Sequence, residues 1–461
     1  MSEQAVSDKR SHAMAYSALS VPVEITRSIF SLYINSPHIG CMDMFQTIGR
    51  GPLRLASVCK AWRQICISHP ALWASFRVYA HEMYHSRIDA FIDFLRCWIA
   101  RAGSLPLDIF IAHPLQNYPD GSLSSGMTKI WFTLPEFSTR LRSLHVVPGM
   151  WESFPTTELQ RRLPNLERLT IAAGYGYDTS VTLTGFQEVP RLREICLAGF
   201  TVHSISLPWT QLTHLELESD SGDPFLSVLE ILEQTTQLAV LLLEFPEAME
   251  DDPEFTHPPV TLNHLHTLRL CQPMDSRILR YLTLPVLKTL DVGYVDKGAF
   301  QIIHTLGERS TWSLRTISLA GPSCKSVMSL FGNIPSLQEA EIIDPLSTLD
   351  PLFERLRADR GLLPDMRAMA IVRYGYGVRA ELLGKMISAR RGNAGSRILQ
   401  SFHLFFEDEA RMSGTLVEEI QALLRPMKED GLDFALGTQS HASILNRKLS
   451  ITSRGPRSME K

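Results

Sequence analysis

The chain has 461 residues, of which 44% are hydrophobic and 20% charged, and its formal net charge is −4 at pH 7. This composition predicts a globular protein with enough apolar material for a large core. The slightly acidic balance argues against a general nucleic-acid binder, whose affinity depends on a basic surface. Seven cysteines without a C-x-x-C pair indicate a reduced intracellular protein rather than a disulfide framework.

Targeting signals are not evident in the sequence. The first twenty residues lack the apolar segment of a signal peptide, and no apolar run reaches the roughly 18–20 residues that a membrane span needs. The C-terminal residues do not form a prenylation box. We therefore expect a cytoplasmic or nuclear protein without a membrane partner.

The chain begins with a polar stretch, residues 1–18, for which we predict disorder. A first helix is expected from Pro22, because proline is favoured at the first helical position and Glu24 complements the helix dipole. Ile25, Ile29 and Leu32 follow at i, i+4 and i+7, which predicts one apolar stripe on an amphipathic helix. Residues 35–51, rich in glycine, asparagine and proline, are predicted to form a loop.

A second helical segment is predicted from Pro52 to the break at His69-Pro70. Its apolar residues are Leu53, Leu55, Ala56, Val58, Cys59, Trp62, Ile65 and Cys66. Together with the first helix they predict a small helical module over residues 19–76. A module of this size buries only a small core, so exposed apolar surface on it would favour a partner.

The order of short motifs in this module resembles the F-box domain, particularly the form abundant in mushroom-forming fungi. The resemblance is carried by Pro-x-Glu-Ile at 22–25, Leu-x-x-Val-Cys-Lys-x-Trp-Arg-x-Ile at 55–65, and Pro-x-Leu-Trp at 70–73. Two departures are Val21, where the family usually has leucine, and the long loop at 35–51. The resemblance implies that the module binds a Skp-type adaptor and, through it, a cullin scaffold. The implied adaptor contacts are Pro22, Glu24, Ile25, Ile29, Leu55, Val58, Trp62, Ile65, Leu72 and Trp73.

Residues 77–135 are predicted to form a linker and an N-terminal cap for the rest of the chain. Within them, residues 91–103 predict an amphipathic helix that ends at Gly103, and residues 105–111 predict a strand. This order also resembles the segment that follows the F-box in the fungal proteins.

A leucine-rich pattern then repeats over residues 136–435. Its first apolar positions are Leu141, Leu166, Leu192, Leu212, Leu238, Leu265, Leu287, Leu314, Leu337, Met366 and Leu399, at intervals of 20 to 33 residues. Most of these intervals are typical of leucine-rich repeats. In the unit at 164–171, alternation predicts that Leu169 and Ile171 face the core while Arg168 and Thr170 face outward.

A parallel strand ladder with helices outside predicts a horseshoe-shaped solenoid, whose concave face is a binding surface. The outward strand positions include Glu194, Cys196, Thr267, Thr289, Thr316, Ser318, Glu339 and Glu341. The candidates for substrate contact on that face are His214, Glu216, Val240, Leu242, Arg269 and Asp291. Residues 436–461 are polar and basic, and we predict a disordered tail.

One enzyme signature occurs in the sequence: His81-Glu82-Met83-Tyr84-His85 has the H-E-x-x-H form of zinc hydrolases. Such a site needs a third ligand on a suitably placed element, and the next glutamate, Glu136, follows only after a helix and a strand. The motif is better explained as part of a linker. We expect no metal, no cofactor and no catalytic residue.

The predicted fold class is therefore α/β, with a small helical module followed by an irregular leucine-rich-repeat solenoid. The predicted function is substrate recognition for a cullin-type ubiquitin ligase, with a protein substrate held by the repeats. The alternative is a leucine-rich-repeat interaction scaffold whose N-terminal helices only cap the array.

Overall fold

The computed structural model describes most of the chain in two compact units. The first unit comprises Met1–Gly199 and His203–Pro208, and the second comprises Phe200–Val202 and Trp209–Lys461. The described residues are 21–34, 51–79, 88–112, 129–131, 133–147, 156–172, 183–199, 202–218, 225–244, 257–271, 273–293, 295, 297–375, 377–392, 399–407 and 414–438. The predicted disordered start at 1–18 and the H-E-x-x-H motif at 81–85 lie outside these residues, as does nearly all of the predicted loop at 35–51.

The first unit opens with a helical module. Its elements are α1 (Val23–Ile34), α2 (Pro52–Val58), α3 (Lys60–Ile67) and a 3-10 turn (Pro70–Trp73). The second predicted helical segment is divided in two because Cys59 has an extended backbone, with φ −157° and ψ 170°. The Cys59 thiol then caps α3 by accepting a hydrogen bond from the Trp62 amide over 3.4 Å.

A parallel ladder of five strands follows in the described residues of this unit. The elements are β1 (Ser75–Tyr79), α4 (Ile88–Arg101), β2 (Leu107–Ala112), β3 (Leu141–Val147), α5 (Thr156–Leu159), β4 (Arg168–Ala172) and β5 (Glu194–Ala198). Each strand pairs in parallel with the next along the chain. The predicted helix that ends at Gly103 and the strand after it correspond to α4 and β2. Gly103 has a positive φ of 59°, as expected of a glycine that terminates a helix.

The second unit contains a longer parallel ladder. Its strands, in order of pairing, are β6 (His214–Glu218), β7 (Val240–Glu244), β9 (Thr267–Leu270), β11 (Thr289–Val292), β12 (Thr316–Ala320), β13 (Glu339–Ile343), β14 (Ala368–Tyr374), β15 (Ser401–Phe406) and β16 (Asp433–Thr438). A separate parallel pair joins β8 (Val260–Thr261) to β10 (Leu282–Thr283). Helices between the strands are α6 (Phe225–Gln234), α7 (Lys297–Ser310), α8 (Cys324–Gly332), α9 (Asp350–Ala358), α10 (Ala380–Arg391) and α11 (Gly414–Glu429). The chain is thus mixed α/β with long parallel ladders.

The predicted repeat positions are the most buried part of the fold. All eleven side chains, from Leu141 to Leu399, are at most 1% exposed. After Leu141, with which β3 begins, each of the others lies two residues before a strand. The predicted alternation is also confirmed, because Leu169 and Ile171 are at most 1% exposed while Arg168 is exposed and Thr170 half-buried.

Paired strands extend beyond the predicted repeat region at both ends. In the first unit they begin at Ser75, well before residue 136, so that β1 and β2 belong to the same sheet as β3. At the other end β16 continues to Thr438, into the stretch from 436 for which we predicted disorder. Parallel pairing with β15 supplies the partners for this last strand, which the polar composition of the tail does not reveal.

Candidate interaction surfaces

Helix α1 presents an apolar stripe to solvent. Its opposite side packs inward through Phe30, which is 1% exposed and whose ring centroid lies 4.9 Å from that of Trp62 in an edge-to-face arrangement. This packing turns Ile25, Ile29 and Leu32 outward, with exposed fractions of 52%, 52% and 73%. We call these three residues the module stripe.

The exposed apolar side chains of the described residues are concentrated in the module. Six of the eleven large ones lie there: Val23, Ile25, Ile29, Leu32, Val58 and Ile67. Single exposed apolar residues are ordinary on protein surfaces, but a concentration on a few short helices indicates an interaction surface.

The residues predicted to contact an adaptor divide into three groups. Pro22, Glu24, Ile25, Ile29 and Val58 are exposed, and Trp62 and Ile65 are half-buried. Leu55, Leu72 and Trp73 are 8%, 2% and 0% exposed. These last three correct the predicted contact set, since their side chains pack in the interior of the first unit and stabilise the module.

Trp73 joins the module to α4. Its Nε1 donates a hydrogen bond of 2.8 Å to the carbonyl oxygen of Cys66. Its ring meets the Trp98 ring at a centroid distance of 4.8 Å, and the Arg101 guanidinium lies 4.5 Å from its ring centroid. Trp73 stands two residues before β1, as the repeat leucines stand before their strands, so it fills the repeat-leucine position of the first strand.

The outward positions of the second ladder form aligned rows. Parallel register places Glu216, Leu242, Arg269, Asp291, Ser318 and Glu341 side by side in one row, with His214, Val240, Thr267, Thr289, Thr316 and Glu339 in the next. All six predicted substrate-contact candidates therefore lie on two adjacent rows. The sequence prediction identified Glu339 and Glu341 as outward but did not select them, although they continue the same rows.

This surface carries an excess of negative charge. From β6 to β13 the outward positions hold six carboxylates and one guanidinium, Arg269. The carboxylates are Glu216, Glu218, Glu244, Asp291, Glu339 and Glu341, all half-buried. We call these outward positions from β6 to β13 the acidic face.

Glu341 is the most desolvated carboxylate of the acidic face. Its Oε2 accepts a hydrogen bond of 2.9 Å from the Ser318 hydroxyl. Its Oε1 is buried and has no hydrogen-bond partner within the described part of the chain. Burial raises the pKa of Glu341 above its usual range, and nearby Asp291 adds to the effect, while Ser318 and Arg269 oppose it.

Arg269 and Asp291 form an ion pair at the centre of the acidic face. The Arg269 Nε lies 2.7 Å from the Asp291 Oδ2, and both side chains are about three-quarters buried, with exposed fractions of 26% and 25%. The one cation of the face is thus engaged with a neighbouring strand.

The character of the ladder changes after β13. Val372 and Phe405 occupy outward positions on β14 and β15, yet each is only 2% exposed. Ile343 and Ala435 pack against them. The half-buried, charged part of the surface therefore ends at β13.

The outward surface of the first unit is different. Arg77 and Arg168 balance Asp108 and Glu194, and Arg168 lies 3.3 Å from Asp108. His145 stacks on Phe110 with centroids 4.1 Å apart, and the Arg77 guanidinium lies 5.8 Å from the centre of the Phe110 ring. Burial, together with the nearby Arg77 charge, lowers the pKa of His145 to about 4.

A cavity of about 170 Å³ lies at one edge of the first ladder, between Ser104, Thr139, Arg140 and Asn165. The Arg140 Nη2 donates to the Leu105 carbonyl oxygen over 3.1 Å and its Nη1 to the Ile99 carbonyl oxygen over 3.4 Å. This arginine therefore satisfies carbonyl groups at and beyond the end of α4, which is a structural role.

Comparison with known proteins does not assign the chain to a family. No family model matches the sequence, and no curated protein matches it. The parallel ladders and the helical module define the architecture. Within the described ranges, no three His, Cys, Asp or Glu side chains are grouped to hold a metal ion, and no helix is both long and apolar enough to cross a bilayer.

Proposed function

We propose that the chain is the substrate-recognition subunit of a cullin-type ubiquitin ligase, with residues 19–76 acting as an F-box. The module stripe is the observation that carries this proposal, because Ile25, Ile29 and Leu32 are exposed on a helix whose other side is firmly packed. An apolar stripe of this spacing is the surface that a helical partner covers.

The energetics favour a partner on the stripe. Burying a Leu or Ile side chain contributes about 1.5–3 kcal/mol when it passes from fully exposed to fully buried. Three side chains that are between half and three-quarters exposed therefore offer several kcal/mol to a complementary surface. The Skp-type adaptor is the partner that the F-box resemblance of residues 22–73 implies.

The proposed mechanism is proximity rather than chemistry. The module binds the adaptor and hence the cullin, while a ladder surface holds the substrate near a ubiquitin-charged enzyme. Holding two reactants together raises their effective concentration without a reactive group on the receptor. In this reading the parallel ladders form an irregular leucine-rich-repeat solenoid, and the receptor is not itself an enzyme.

Co-expression with a Skp-type adaptor, followed by size-exclusion chromatography with mass analysis, tests the proposal. We expect a 1:1 complex for the native chain. The double variant Ile25→Asp/Ile29→Asp should lose it, since charges replace the apolar contact while the buried Phe30 side of α1 is untouched.

The matched control is Leu226→Asp/Leu423→Asp. These leucines are 41% and 39% exposed on helices of the second unit, so the control introduces the same charges into the same type of surface. It should retain the complex. Equal adaptor binding by the native chain and the stripe variant would reject the interface.

A repeat scaffold without a ubiquitin role is the alternative. It predicts a folded chain that does not bind the adaptor at all. In that case the N-terminal helices would only cap the array, and the native chain and the Ile25→Asp/Ile29→Asp variant would elute alike in the presence of the adaptor.

A further inference from the structure

The acidic face differs from every other ladder surface in the described residues, and the difference concerns charge. Six carboxylates and one guanidinium project from β6 to β13, whereas charges of both signs balance on the outward positions of the first ladder. Strand register brings these carboxylates together, because they come from four strands, β6, β7, β11 and β13, that are well separated along the chain.

We infer that the acidic face binds an extended protein segment rich in lysine or arginine, and that this segment is the class of substrate the ladder recognises. The inference rests on the proposed function for the role of the ladder as the substrate surface. The charge excess and the apolar side chains of Val240 and Leu242 together fit a basic segment with interspersed apolar residues.

The dimensions agree with a short segment. Six neighbouring strands about 4.8 Å apart span roughly 24 Å, which an extended chain covers with about seven residues. A segment that crosses the strands would meet a carboxylate on β6, β7, β11 and β13 in turn. Alternate residues of an extended segment point to the same side, so alternating basic residues suit this spacing.

Glu341 supplies a second, independent observation. Its buried Oε1 lacks a hydrogen-bond donor within the described residues, and its carboxylate has already lost much of its hydration. A cationic side chain placed over the face is attracted by this charge, and little further desolvation of the carboxylate is needed. The attraction is stronger than at a fully hydrated carboxylate, because the partly buried group lies in a medium of lower dielectric constant.

The edge of the same ladder is basic. Lys288, Arg315 and Arg367 each stand directly before a strand and are exposed. An acidic segment would contact these residues instead of the acidic face. The charge of the segment that binds therefore shows whether it contacts the acidic face or these basic residues.

Fluorescence anisotropy with two labelled peptides tests the inference on the full chain. The probes are a twelve-residue peptide of alternating lysine and serine and its counterpart of alternating glutamate and serine. We expect the lysine peptide to bind and the glutamate peptide not to bind. Preference for the glutamate peptide would overturn the inference.

The location of binding is tested with a triple variant, Glu244→Gln/Glu339→Gln/Glu341→Gln. It should weaken the lysine peptide by about tenfold, since each lost partly exposed ion pair accounts for a few tenths to 1 kcal/mol. The matched control, Glu308→Gln/Glu354→Gln/Glu381→Gln, removes the same charge from exposed positions on α7, α9 and α10. Equal losses in the two variants would show that only net charge matters and would overturn the inference.

A gain-of-function variant keeps the test informative if the triple variant misfolds. Thr289→Glu adds a carboxylate at a half-buried outward position of β11 and should tighten the lysine peptide about threefold. If Thr289→Glu left the affinity for the lysine peptide unchanged, the acidic face would not be its binding site. The triple variant should still form the adaptor complex, and the Ile25→Asp/Ile29→Asp variant should still bind the lysine peptide. The two experiments therefore distinguish failure of the basic-segment inference from failure of the proposed function.

Discussion

The two ladders have interiors of the same kind and differ on their outward surfaces. In both, the residue two positions before most strands and the alternate strand positions are buried and apolar, as at Leu166 and Leu169 in the first unit and Leu290 in the second. On the outward side, the first ladder has balanced charges and a Phe110–His145 stack, while the second has the acidic face. The inward positions are constrained by packing and are alike, whereas the outward positions are not constrained in this way and differ.

The largest expected effect concerns the inward position of the first strand. Trp73→Ala should lower the free energy of unfolding of the first unit by about 3–5 kcal/mol, the usual range for removing a buried aromatic side chain. The change removes the contact with Trp98 and the hydrogen bond to Cys66. Chemical denaturation measures this change in the free energy of unfolding.

Leu105→Ala is the control for this substitution, because Leu105 lies in the same unit and is 37% exposed. It should change stability by no more than about 1 kcal/mol. Similar losses in the two variants would contradict the assignment of Trp73 to the interior.

A second prediction concerns how the stability of the first unit depends on pH. The pKa of His145 is lowered to about 4 in the folded first unit, against an ordinary value of 6.5. The folded state therefore resists protonation, so its stability is complete above pH 6.5 and falls as the pH drops towards 4. The loss is roughly 2 kcal/mol at pH 5, since each pKa unit corresponds to about 1.4 kcal/mol.

Thermal unfolding at a series of pH values shows this dependence. His145→Gln should flatten the slope between pH 6.5 and 4, whatever its effect on stability at neutral pH. Substitution of the exposed His264 by glutamine should leave the slope as it is. A slope that is the same in all three proteins would exclude His145 as its source.

The smallest expected effect concerns Glu341 on the acidic face, where a substitution should raise the stability of the second unit rather than lower it. Burial raises the pKa of Glu341, so the charged carboxylate opposes folding at neutral pH and this opposition disappears as the pH falls through the folded pKa. Glu341→Gln should therefore stabilise the second unit at pH 7 by roughly 1 kcal/mol, the lower end of the cost of an unsatisfied buried polar atom.

The gain should shrink as the pH falls below the folded pKa and should be absent below the ordinary carboxyl value of 4.5, where the carboxyl is protonated in both states. Glu354→Gln, at an exposed position on α9, should give no such gain. If Glu341→Gln were destabilising at pH 7, the carboxylate would be contributing to the fold rather than awaiting a ligand. The same variant should weaken the lysine peptide, so that stability and binding change in opposite directions.

Local pattern in the sequence was sufficient for much of the fold. The repeat leucines, the alternation on each strand and the helix that ends near Gly103 could be predicted because they depend on neighbouring residues and on a regular period. The outward placement of His214, Glu216, Arg269 and Asp291 followed from the same alternation, since successive side chains of a strand point to opposite faces.

Tertiary structure decided which apolar residues are exposed. Ile25, Ile29 and Leu32 of the module stripe are exposed, whereas Leu55, Leu72 and Trp73 of the same module are buried, although both sets are apolar. Periodicity shows that a helix has an apolar side but not what that side packs against. Phe30 and Trp62 form the internal contact of α1, so its stripe is left exposed to solvent.

Register between distant strands was likewise invisible in the sequence. The acidic face exists because parallel pairing aligns residues that are more than a hundred positions apart along the chain, such as Glu216 and Glu341. The amino-acid sequence by itself determined the repeating core and the direction of each side chain. Only the folded ladder decided which outward side chains become neighbours, because that depends on strand pairing across the sheet.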